Sequence, residues 1–433
     1  MSANPYDQVP YHCQPIEWTA PERLALCSLL HGGPAPDLQQ YRVLELGCGD
    51  GANLLPLAYY RPQAEFIGID GAATHIDTAL GRLKQLDPCN LQYHHCDFQQ
   101  AESRLDGRFD FIIVHGVFSW VPDVVRDALF ELCASRLKDD GLLYLNYNTK
   151  PGWNIRGMVR EYLLAHTRAQ PSLTEKIQQA RVAAGKMTRS LAEESHPYSK
   201  LLANEFQFVC DNHDSYLAHE FLTEHNHAYW RSEFMSLANH FGLHYVADAD
   251  HNYSSGRTSP SLYKQIETQD LIGTNLNDTV DLVSYRQLHT PLFSKTPVGI
   301  PHPDPDILIN LQVASCLQAI GPHKPHWYQH PNGYQVEAKD NGLLYALDRL
   351  LDIWPRSAPL DALLEHPHQF LDDLILLHNN GLLELRLAGS PSPQESSDFN
   401  PLNALEQQWG NYYTTANHQR VELQTHYNSV EPA

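Results

Sequence analysis

The sequence predicts an α/β protein in which the first 165 residues form a doubly wound, mostly parallel β-sheet. A mainly helical middle domain and a small α+β C-terminal domain follow. Short apolar strands alternate with amphipathic helices from Arg42 to about Thr149, and repeated βα order produces a parallel sheet with helices on both faces. A glycine-rich turn follows the first predicted strand. After Thr149 the alternation ends and long helical patterns replace it.

Five strands and three helices are predicted in the first part of the chain. The strands are apolar runs bounded by turn residues, at positions 42–47, 65–70, 91–97, 109–116 and 141–149. The helices between them have apolar residues at three-to-four spacing, at positions 52–60, 73–86 and 121–138. The glycine loop therefore lies where the first strand turns into the first helix.

The middle of the chain is predicted to be largely helical from Ile155 to about Phe221. Ser172 is a suitable N-cap for a helix that continues to Ala192, since its hydroxyl can accept a bond from a free backbone amide. The segment 233–250 predicts a helix, a stop at Gly242 and a short strand.

Proline and polar residues at 295–306 indicate a domain boundary. Beyond it, two helices and a strand that begins at Gly381 predict a small winged-helix-like unit. Acidic residues crowd these segments, which favours packing or protein docking over DNA binding. The predicted domains are 1–165, 166–295 and 296–433.

The overall charge limits the kinds of partner. The chain has 433 residues and a formal net charge of −21, and no Lys/Arg run is present. Such a charge repels a polyanion, so we expect no nucleic-acid partner. A basic protein or peptide fits better.

Cysteine and histidine usage predicts neither disulfides nor a metal site. The eight cysteines are scattered without a C-x-x-C pair, which is typical of reduced thiols. The 25 histidines form clusters such as "YHHCD", but none repeats a known ligand spacing. The first residues do not contain the basic stretch followed by an apolar stretch that is typical of a secretory signal peptide. No apolar run in the sequence is long enough to span a membrane. We therefore expect a cytoplasmic protein without membrane insertion.

The glycine loop "GCGDG", at 47–51, raises the question of its ligand. A dinucleotide site favours G-x-G-x-x-G, and here Ala52 replaces the third glycine; a phosphate-binding P-loop would need a lysine that is absent. Glu45 stands two residues before Gly47. A carboxylate in this place disfavours pyrophosphate and suits a cationic ammonium group.

Acidic residues also end the second and third predicted strands. Asp70 is placed to accept bonds from both hydroxyls of a ribose, and Asp97 with Phe98 suits an adenine. An ammonium, a ribose and an adenine without phosphate describe S-adenosylmethionine (AdoMet). Helix capping is the alternative for Asp70 or Asp97 alone.

The motifs "VLELGCGDG", "FIGID", "CDF" and "FDFIIVHGVFSWVP" resemble the class I AdoMet-dependent methyltransferases. Further similarity, through "YDQVPY", "NTKPGW" and 216–250, extends to bacterial methyltransferases with a methyltransferase regulatory domain, a group that includes the rickettsial-type protein lysine methyltransferases. The resemblance implies a Rossmann-like AdoMet-binding domain with an N-terminal lid segment, a helical middle region involved in dimerisation, and a C-terminal domain around an open cavity.

Candidate site residues are assigned from this combined evidence. The expected cofactor-binding residues are Glu45, Gly47, Cys48, Gly49, Asp70, Asp97, Phe98, His115 and Gly116. The expected catalytic residues are His115 and Trp120 at the end of the fourth strand, the end that faces the transferable methyl group. His115 could assist removal of a proton from an amine acceptor.

Aromatic residues are candidates for an acceptor pocket, namely Phe118 and Trp120 after the fourth strand, Tyr147 on the fifth, Trp153 in the turn that follows, and the N-terminal Tyr6 and Tyr11. Such rings could form the wall of a pocket for an ammonium group, and core packing is the alternative for Phe118, Tyr147 and Trp153. The turn typical of enzymes that methylate base amines, and the Pro-Cys turn of C5-cytosine enzymes, are both absent after the fourth strand.

The sequence predicts an active methyltransferase, with a protein lysine as the leading acceptor and a small molecule as the next. A protein that binds AdoMet without turnover is a second class. A third, an NAD-dependent oxidoreductase, is disfavoured by Glu45 and Ala52.

Overall fold

A computed structural model describes most of the first 387 residues, namely 4–86, 88–249, 265–268, 275–298, 303–331, 333–354 and 356–387. The predicted boundary at 295–306 and the end of the 233–250 segment lie partly outside the described residues. Within the described part, no helix is both long enough and apolar enough to cross a membrane.

A seven-stranded sheet forms the centre of the fold, in the order β3-β2-β1-β4-β5-β9-β7. Its strands are β1 (Arg42–Leu46), β2 (Glu65–Asp70), β3 (Leu91–His95), β4 (Phe109–Val114), β5 (Leu137–Leu145), β7 (His244–Asp248) and β9 (Pro291–Ser294). The first five pair in parallel, whereas β9 is antiparallel to both of its neighbours. The predicted parallel sheet is confirmed.

Helices cover both faces of this sheet. They are α2 (Pro21–Leu30), α3 (Leu54–Tyr60), α4 (Ala73–Leu86), α5 (Phe98–Ala101) and α6 (Asp123–Arg136), whereas the short helix α1 (Pro5–Gln8) contacts α4. One apolar core lies on each face of the sheet, since successive strand residues such as Val43 and Leu44 point to opposite sides. The helix predicted at 121–138 ends earlier, because Leu137 already pairs with Phe109 as the first residue of β5.

Strands β7 and β9 come from a part of the chain that the sequence assigns to the middle domain. Leu292 and Phe293 of β9 pair with Tyr144 and Leu143 of β5, and their side chains are fully buried. A second pairing joins β6 (Tyr147–Asn148) to β8 (Leu288–His289). The sheet is thus completed by residues beyond position 165, and the three-domain division of the sequence stays a prediction.

The middle region is a helical layer made of α7 (Lys150–Thr167), α8 (Leu173–Leu191), α9 (Pro197–Asp211) and α10 (Asp214–Tyr216). Ser172 caps α8 as expected, since its Oγ accepts from the Glu175 amide at 3.2 Å. After α10 the chain makes a π-helical turn, Leu217–Phe221. The predicted helix, glycine stop and strand are present as α11 (Arg231–His240), Gly242 and β7, and α12 (Leu276–Val283) follows.

The C-terminal part contains α13 (Asn341–Ile353) and α14 (Leu371–Asn379), followed by a strand after Gly381 as expected. Two small sheets accompany them, in the orders β14-β10-β15 and β11-β12-β13. Their strands are β10 (Gln312–Ala314), β11 (Gln318–Ala319), β12 (Trp327–Gln329), β13 (Gln335–Glu337), β14 (Ala358–Pro359) and β15 (Glu384–Arg386). Leu26 and Leu30 of α2 pack into this third core and join it to the first part of the chain.

Candidate active site

A cavity of about 600 Å³ opens at the carboxyl ends of β1, β2 and β4. Open α/β sheets bind their ligands at this edge. The cavity brings together nine of the ten residues that the sequence assigns to the site, namely Glu45, Gly47, Cys48, Gly49, Asp70, Phe98, His115, Gly116 and Trp120. Asp97 is the tenth, and it does not line the cavity.

The glycine loop between β1 and α3 has a backbone that only glycine adopts without strain. Gly47 and Gly49 have φ values of +82° and +54°, a region that side chains disfavour. The Gly47 and Cys48 amides donate to the Ile69 carbonyl at 2.7 and 3.0 Å, which holds the loop against β2. A Cβ atom at Gly47 would lie 2.3 Å from Cγ2 of Val117. The loop thus exposes bare backbone to the cavity.

Glu45, at the end of β1, is a buried carboxyl group beside this loop. Its Oε1 accepts from Asn53 Nδ2 at 2.9 Å, whereas its Oε2 has no hydrogen-bond partner among the described residues. Burial raises the pKa of Glu45 to about 8, and the charges of Asp70 and Asp50 add to that rise. An ammonium cation in the cavity would offset the free-energy cost of burying the ionised carboxylate, since it supplies the missing hydrogen-bond donor and an opposite charge. Glu45 therefore fits the ammonium of AdoMet.

Asp70, at the end of β2, is held rigidly. Its Oδ2 accepts from the Gly49 amide at 2.9 Å and its Oδ1 from the Ala72 amide at 2.8 Å. A carboxylate has about four lone-pair sites, so two bonds leave capacity for ribose hydroxyls. Asp70 fits the predicted ribose contact and also supports the glycine loop.

The two residues expected at an adenine have different places in the structure. Phe98 lines the cavity. Asp97 is exposed and caps α5, where its Oδ1 accepts from the Gln100 amide at 2.8 Å. Helix capping was the alternative that the sequence left open for Asp97, and its contact with adenine stays a prediction.

His115 is fixed by two donors on one ring nitrogen. Asn146 Oδ1 accepts from the Gly116 amide at 2.7 Å, which turns the Asn146 Nδ2 group toward His115 Nδ1 at 3.2 Å. The Tyr144 hydroxyl lies 2.9 Å from the same nitrogen and itself accepts from Trp18 Nε1 at 2.8 Å. His115 Nδ1 is thus an acceptor, and the ring proton is on Nε2.

Burial also lowers the pKa of His115 to about 4. A neutral imidazole with Nδ1 engaged and Nε2 protonated can donate a hydrogen bond, but it has no free lone pair with which to accept a proton. The geometry therefore favours His115 as a donor, in contrast to the proton-accepting role that the sequence suggested. Its catalytic role stays a prediction.

A second cluster of cavity residues, here called the acceptor end, consists of Trp120, Trp153, Arg156, Phe208, Tyr216 and Glu220. The Trp120 and Trp153 rings meet edge to face at 5.2 Å. The Arg156 guanidinium stacks over Trp153 and Phe208, at 5.6 and 4.3 Å from the ring centroids. The residues around the glycine loop, namely Glu45, Gly47, Cys48, Gly49 and Asp70, are called the cofactor end.

The aromatic residues proposed from the sequence divide between pocket and core. Tyr6, Tyr11, Trp120, Tyr147 and Trp153 line the cavity. Phe118 does not, because its ring is fully buried against Phe130 and Phe234 in the core below the sheet. For Phe118 the interpretation as an acceptor wall is wrong and core packing holds.

The sequence did not identify Asn53, Asn146, Arg156, Phe208, Tyr216 or Glu220. Asn53 lies two residues after the glycine loop and Asn146 directly follows β5, and both of these elements were predicted. Their positions in the sequence could therefore have identified the two asparagines. The others lie on α7, α9, α10 and the π-helical turn, far along the chain from the glycine loop. No periodic pattern tells which helix face turns toward a cavity formed by other segments.

The N-terminal segment lies across the cavity and joins its two ends. Asn4 Nδ2 donates to the Gly71 carbonyl at 3.0 Å, and Asp7 accepts from the Thr74 amide at 3.0 Å. Tyr6 stacks on His219 of the π-helical turn, with ring centroids 4.1 Å apart. The expected lid segment thus contacts both the sheet edge and the middle region.

Comparisons with known proteins agree with this site. Residues 43–141 match the model of a methyltransferase domain, and residues 213–272 match that of a predicted methyltransferase regulatory domain. The chain is 35% identical over 293 residues to the uncharacterized protein RP789 of Rickettsia prowazekii, which covers 67% of this chain and 52% of that protein. It is 30% identical to RP028 of the same organism, over 54% of this chain and 93% of that protein.

The chain thus spans about half the length of the first of these relatives and nearly all of the second. Among solved structures, PKMT2 from Rickettsia typhi in complex with AdoHcy superposes with a TM-score of 0.77, over 92% of this chain and 82% of that chain, at 22% identity. That likeness shows a shared fold. The chain belongs to the class I AdoMet-dependent methyltransferases that carry a methyltransferase regulatory domain.

Proposed function

We propose that this protein transfers a methyl group from AdoMet to an amine, and that the amine is a lysine side chain of a protein. The observation that carries the proposal is one continuous cavity. Glu45, with an unpartnered carboxyl oxygen, lines its cofactor end, and aromatic rings with a second carboxyl group line its acceptor end. Such a cavity suits both the ammonium group of the methyl donor AdoMet and the ammonium group of a lysine as methyl acceptor.

The residues of the cofactor end would hold AdoMet in a defined orientation. Glu45 would accept from its ammonium, Asp70 from its ribose hydroxyls, and Phe98 would pack against its adenine. Gly47 and Gly49 let the backbone approach the amino-acid part. When bound, AdoMet supplies a methyl group on a positively charged sulfur. A nitrogen lone pair can attack this methyl carbon and displace the sulfur.

The residues of the acceptor end would position and desolvate the incoming amine. In-line displacement depends mostly on orientation and exclusion of water. Trp120 and Trp153 give rigid apolar walls that stabilise a cation through their faces. His115 Nε2–H would donate a hydrogen bond within the same cavity.

A protein lysine is the acceptor that the charge and the resemblance favour. The net charge of −21 attracts a basic partner, and the resemblance to rickettsial-type protein lysine methyltransferases points to the same chemistry. PKMT2 of Rickettsia typhi has the same fold as this chain. A small-molecule amine is the second candidate acceptor, since about 600 Å³ lies within the range of small-ligand pockets.

The test is a binding titration followed by a transfer assay on one preparation. We expect AdoMet and AdoHcy to bind, and tritiated methyl groups to enter total bacterial protein as methyl-lysine after acid hydrolysis. Binding without labelled protein would contradict the lysine proposal and point to a small acceptor or a non-catalytic role. No binding would overturn the assignment of the cofactor end.

A further inference from the structure

A second carboxyl group, that of the half-buried Glu220, lines the cavity in addition to Glu45. Glu220 belongs to the π-helical turn Leu217–Phe221, after α10. No hydrogen bond or ion pair joins its carboxyl group to another described residue, and only the charges of Arg156 and Arg160 act on it at longer range. Glu220 is therefore an unused acceptor in the wall of the acceptor end.

The π-helical turn explains how this side chain faces the cavity. The Leu222 amide donates to the Leu217 carbonyl five residues earlier, at 3.1 Å. Leu217 and Phe221 are fully buried in the helical core, whereas His219 and Glu220, two consecutive residues, both line the cavity. Single π-helical turns inside α-helices occur frequently at functional sites. The turn thus presents Glu220 to the cavity without loss of core packing.

The two nearby arginines have oxygen partners of their own. Arg156 Nε donates to Glu205 at 3.1 Å, and Arg160 donates to the Thr223 carbonyl. Neither makes a hydrogen bond to Glu220. They moderate the cost of its burial, which still raises the pKa of Glu220 to about 8.

Two further titratable groups near Glu220, Tyr6 and the adjacent His219, are neutral near pH 7. Tyr6, from the N-terminal segment, has a pKa raised by burial and by the charge of Glu220. Burial lowers the pKa of the adjacent His219 to about 4. Neither therefore brings a positive charge that would satisfy the carboxylate.

We propose that Glu220 is the carboxylate that binds the ammonium group of the acceptor and takes its proton before methyl transfer. The inference rests on the proposed function and names the proton acceptor of that reaction. His115 is unsuited to this role, because its Nδ1 accepts two hydrogen bonds and its Nε2 carries the proton. Glu220 is available at the acceptor end and has the required lone pairs.

The proposed reaction consists of a proton transfer and a methyl transfer. One N–H bond of the acceptor ammonium breaks and its proton passes to a Glu220 carboxylate oxygen, which gives a neutral amine and a carboxylic acid. The nitrogen lone pair then forms the new N–C bond as the S–C bond of AdoMet breaks. The electron pair of the broken S–C bond stays on sulfur, which gives AdoHcy. The acceptor becomes an N-methylated ammonium group. Glu220 returns its proton to water once the product has left.

A binding experiment tests the ammonium site without any transfer step. The probe is n-butylammonium, an analogue of the lysine side chain, titrated into AdoHcy-loaded protein while the total tryptophan fluorescence, to which Trp120 and Trp153 contribute, is followed. We expect binding to the wild type and to the control Glu224→Gln, an exposed glutamate in the same region. Glu220→Gln is expected to weaken binding at least tenfold. Equal affinity in Glu220→Gln, or no binding to the wild type, would overturn the proposal.

A pH profile of methyl transfer to total bacterial protein tests the proton transfer. With AdoMet saturating at every pH, so that the titration of Glu45 does not limit cofactor binding, wild-type transfer should rise with pH and level off above about pH 8, where Glu220 is ionised. Glu220→Gln should be at least 100-fold slower at pH 7.5, with unchanged AdoHcy affinity, and its rate should keep rising toward the pKa of free lysine, about 10.4. An unchanged rate and profile would refute Glu220 as the proton acceptor and leave the proposed function intact. Failure of the wild type to methylate protein would instead refute the proposed function.

Discussion

The cofactor end and the acceptor end share one cavity but are built in different ways. The cofactor end consists of Glu45, the glycine loop and Asp70, all within 26 residues and all at the ends of neighbouring strands. The acceptor end joins residues from the turn after β4, from α7, α9 and α10, and from the π-helical turn. A binding site that is local in sequence can be recognised as a motif, whereas one assembled by tertiary packing cannot. Variants at the two ends should therefore separate cofactor binding from transfer.

Gly47→Arg should have the largest effect and should abolish cofactor binding. The substitution places a side chain at a φ of +82°, with a Cβ 2.3 Å from Val117, and blocks the approach of the backbone to a ligand. Titration with AdoHcy should show an affinity loss of more than about 100-fold, or about 3 kcal/mol. Gly81→Ala, in α4 with open space around the new Cβ, is the matched control and should bind normally. Wild-type affinity in Gly47→Arg would contradict the assignment of the loop.

His289→Asn should lower the free energy of unfolding, because His289 belongs to a buried cluster of charged groups that joins β8 to β7 and α12. His289 on β8 lies between two buried aspartates, with Nε2 at 2.8 Å from Asp281 and Nδ1 at 3.4 Å from Asp248. Burial opposes its charge, but the two carboxylates outweigh burial and raise the pKa of His289. Loss of one member of such a buried cluster costs about 3 kcal/mol of unfolding free energy.

The pH dependence of this loss follows from the raised pKa. A histidine with a raised folded pKa stabilises the protein fully below its unfolded pKa of about 6.5, and this contribution is lost as the pH rises through the folded value. Urea unfolding should therefore show a larger difference between wild type and His289→Asn at pH 6 than at pH 9. The exposed His240→Asn serves as control. A difference that does not change with pH would contradict a charged His289.

Glu45→Gln should weaken AdoMet binding about 30-fold, which corresponds to about 2 kcal/mol for a charged hydrogen bond. Because the pKa of Glu45 is about 8 without ligand, a proton must leave before the ammonium binds, so wild-type affinity should rise between pH 6 and pH 8. This rise should be absent in Glu45→Gln. Calorimetric titration at both pH values measures it, with the exposed Glu131→Gln as control. An unchanged affinity in Glu45→Gln would refute the ammonium contact.

Trp120→Ala should have the smallest effect and should act only on the acceptor end. Removal of one aromatic wall costs about 1 kcal/mol of cation stabilisation, or roughly a fivefold to tenfold lower transfer rate. The affinity for AdoHcy should stay within twofold, since the cofactor end is built from other residues. Steady-state transfer and AdoHcy titration measure the two quantities. A comparable loss of AdoHcy affinity would show that the two ends are not separate.

The same contrast explains how much the sequence predicted. The βα alternation predicted β1 to β5, and α4 was predicted with the bounds that the structure has, because apolar periodicity and glycine turns are local signals. The pairing of β9 with β5 was not predicted, since it joins residues near 293 to residues near 143. Glu220 was also missed, because a π-helical turn changes which side chains face a cavity and leaves no pattern in the sequence.

The pairing of β5 with β9 also bears on how the chain folds during synthesis. The parallel sheet is complete through β5 when residue 145 has been made, but the outer edge of β5 gains its partner only when residues 291–294 emerge. Until then the apolar residues Leu142 to Leu145 form an unpaired edge, of the kind that promotes association between chains. A fragment that ends near residue 165 would keep that edge permanently. Expression of the methyltransferase part alone therefore requires β7 and β9 as well.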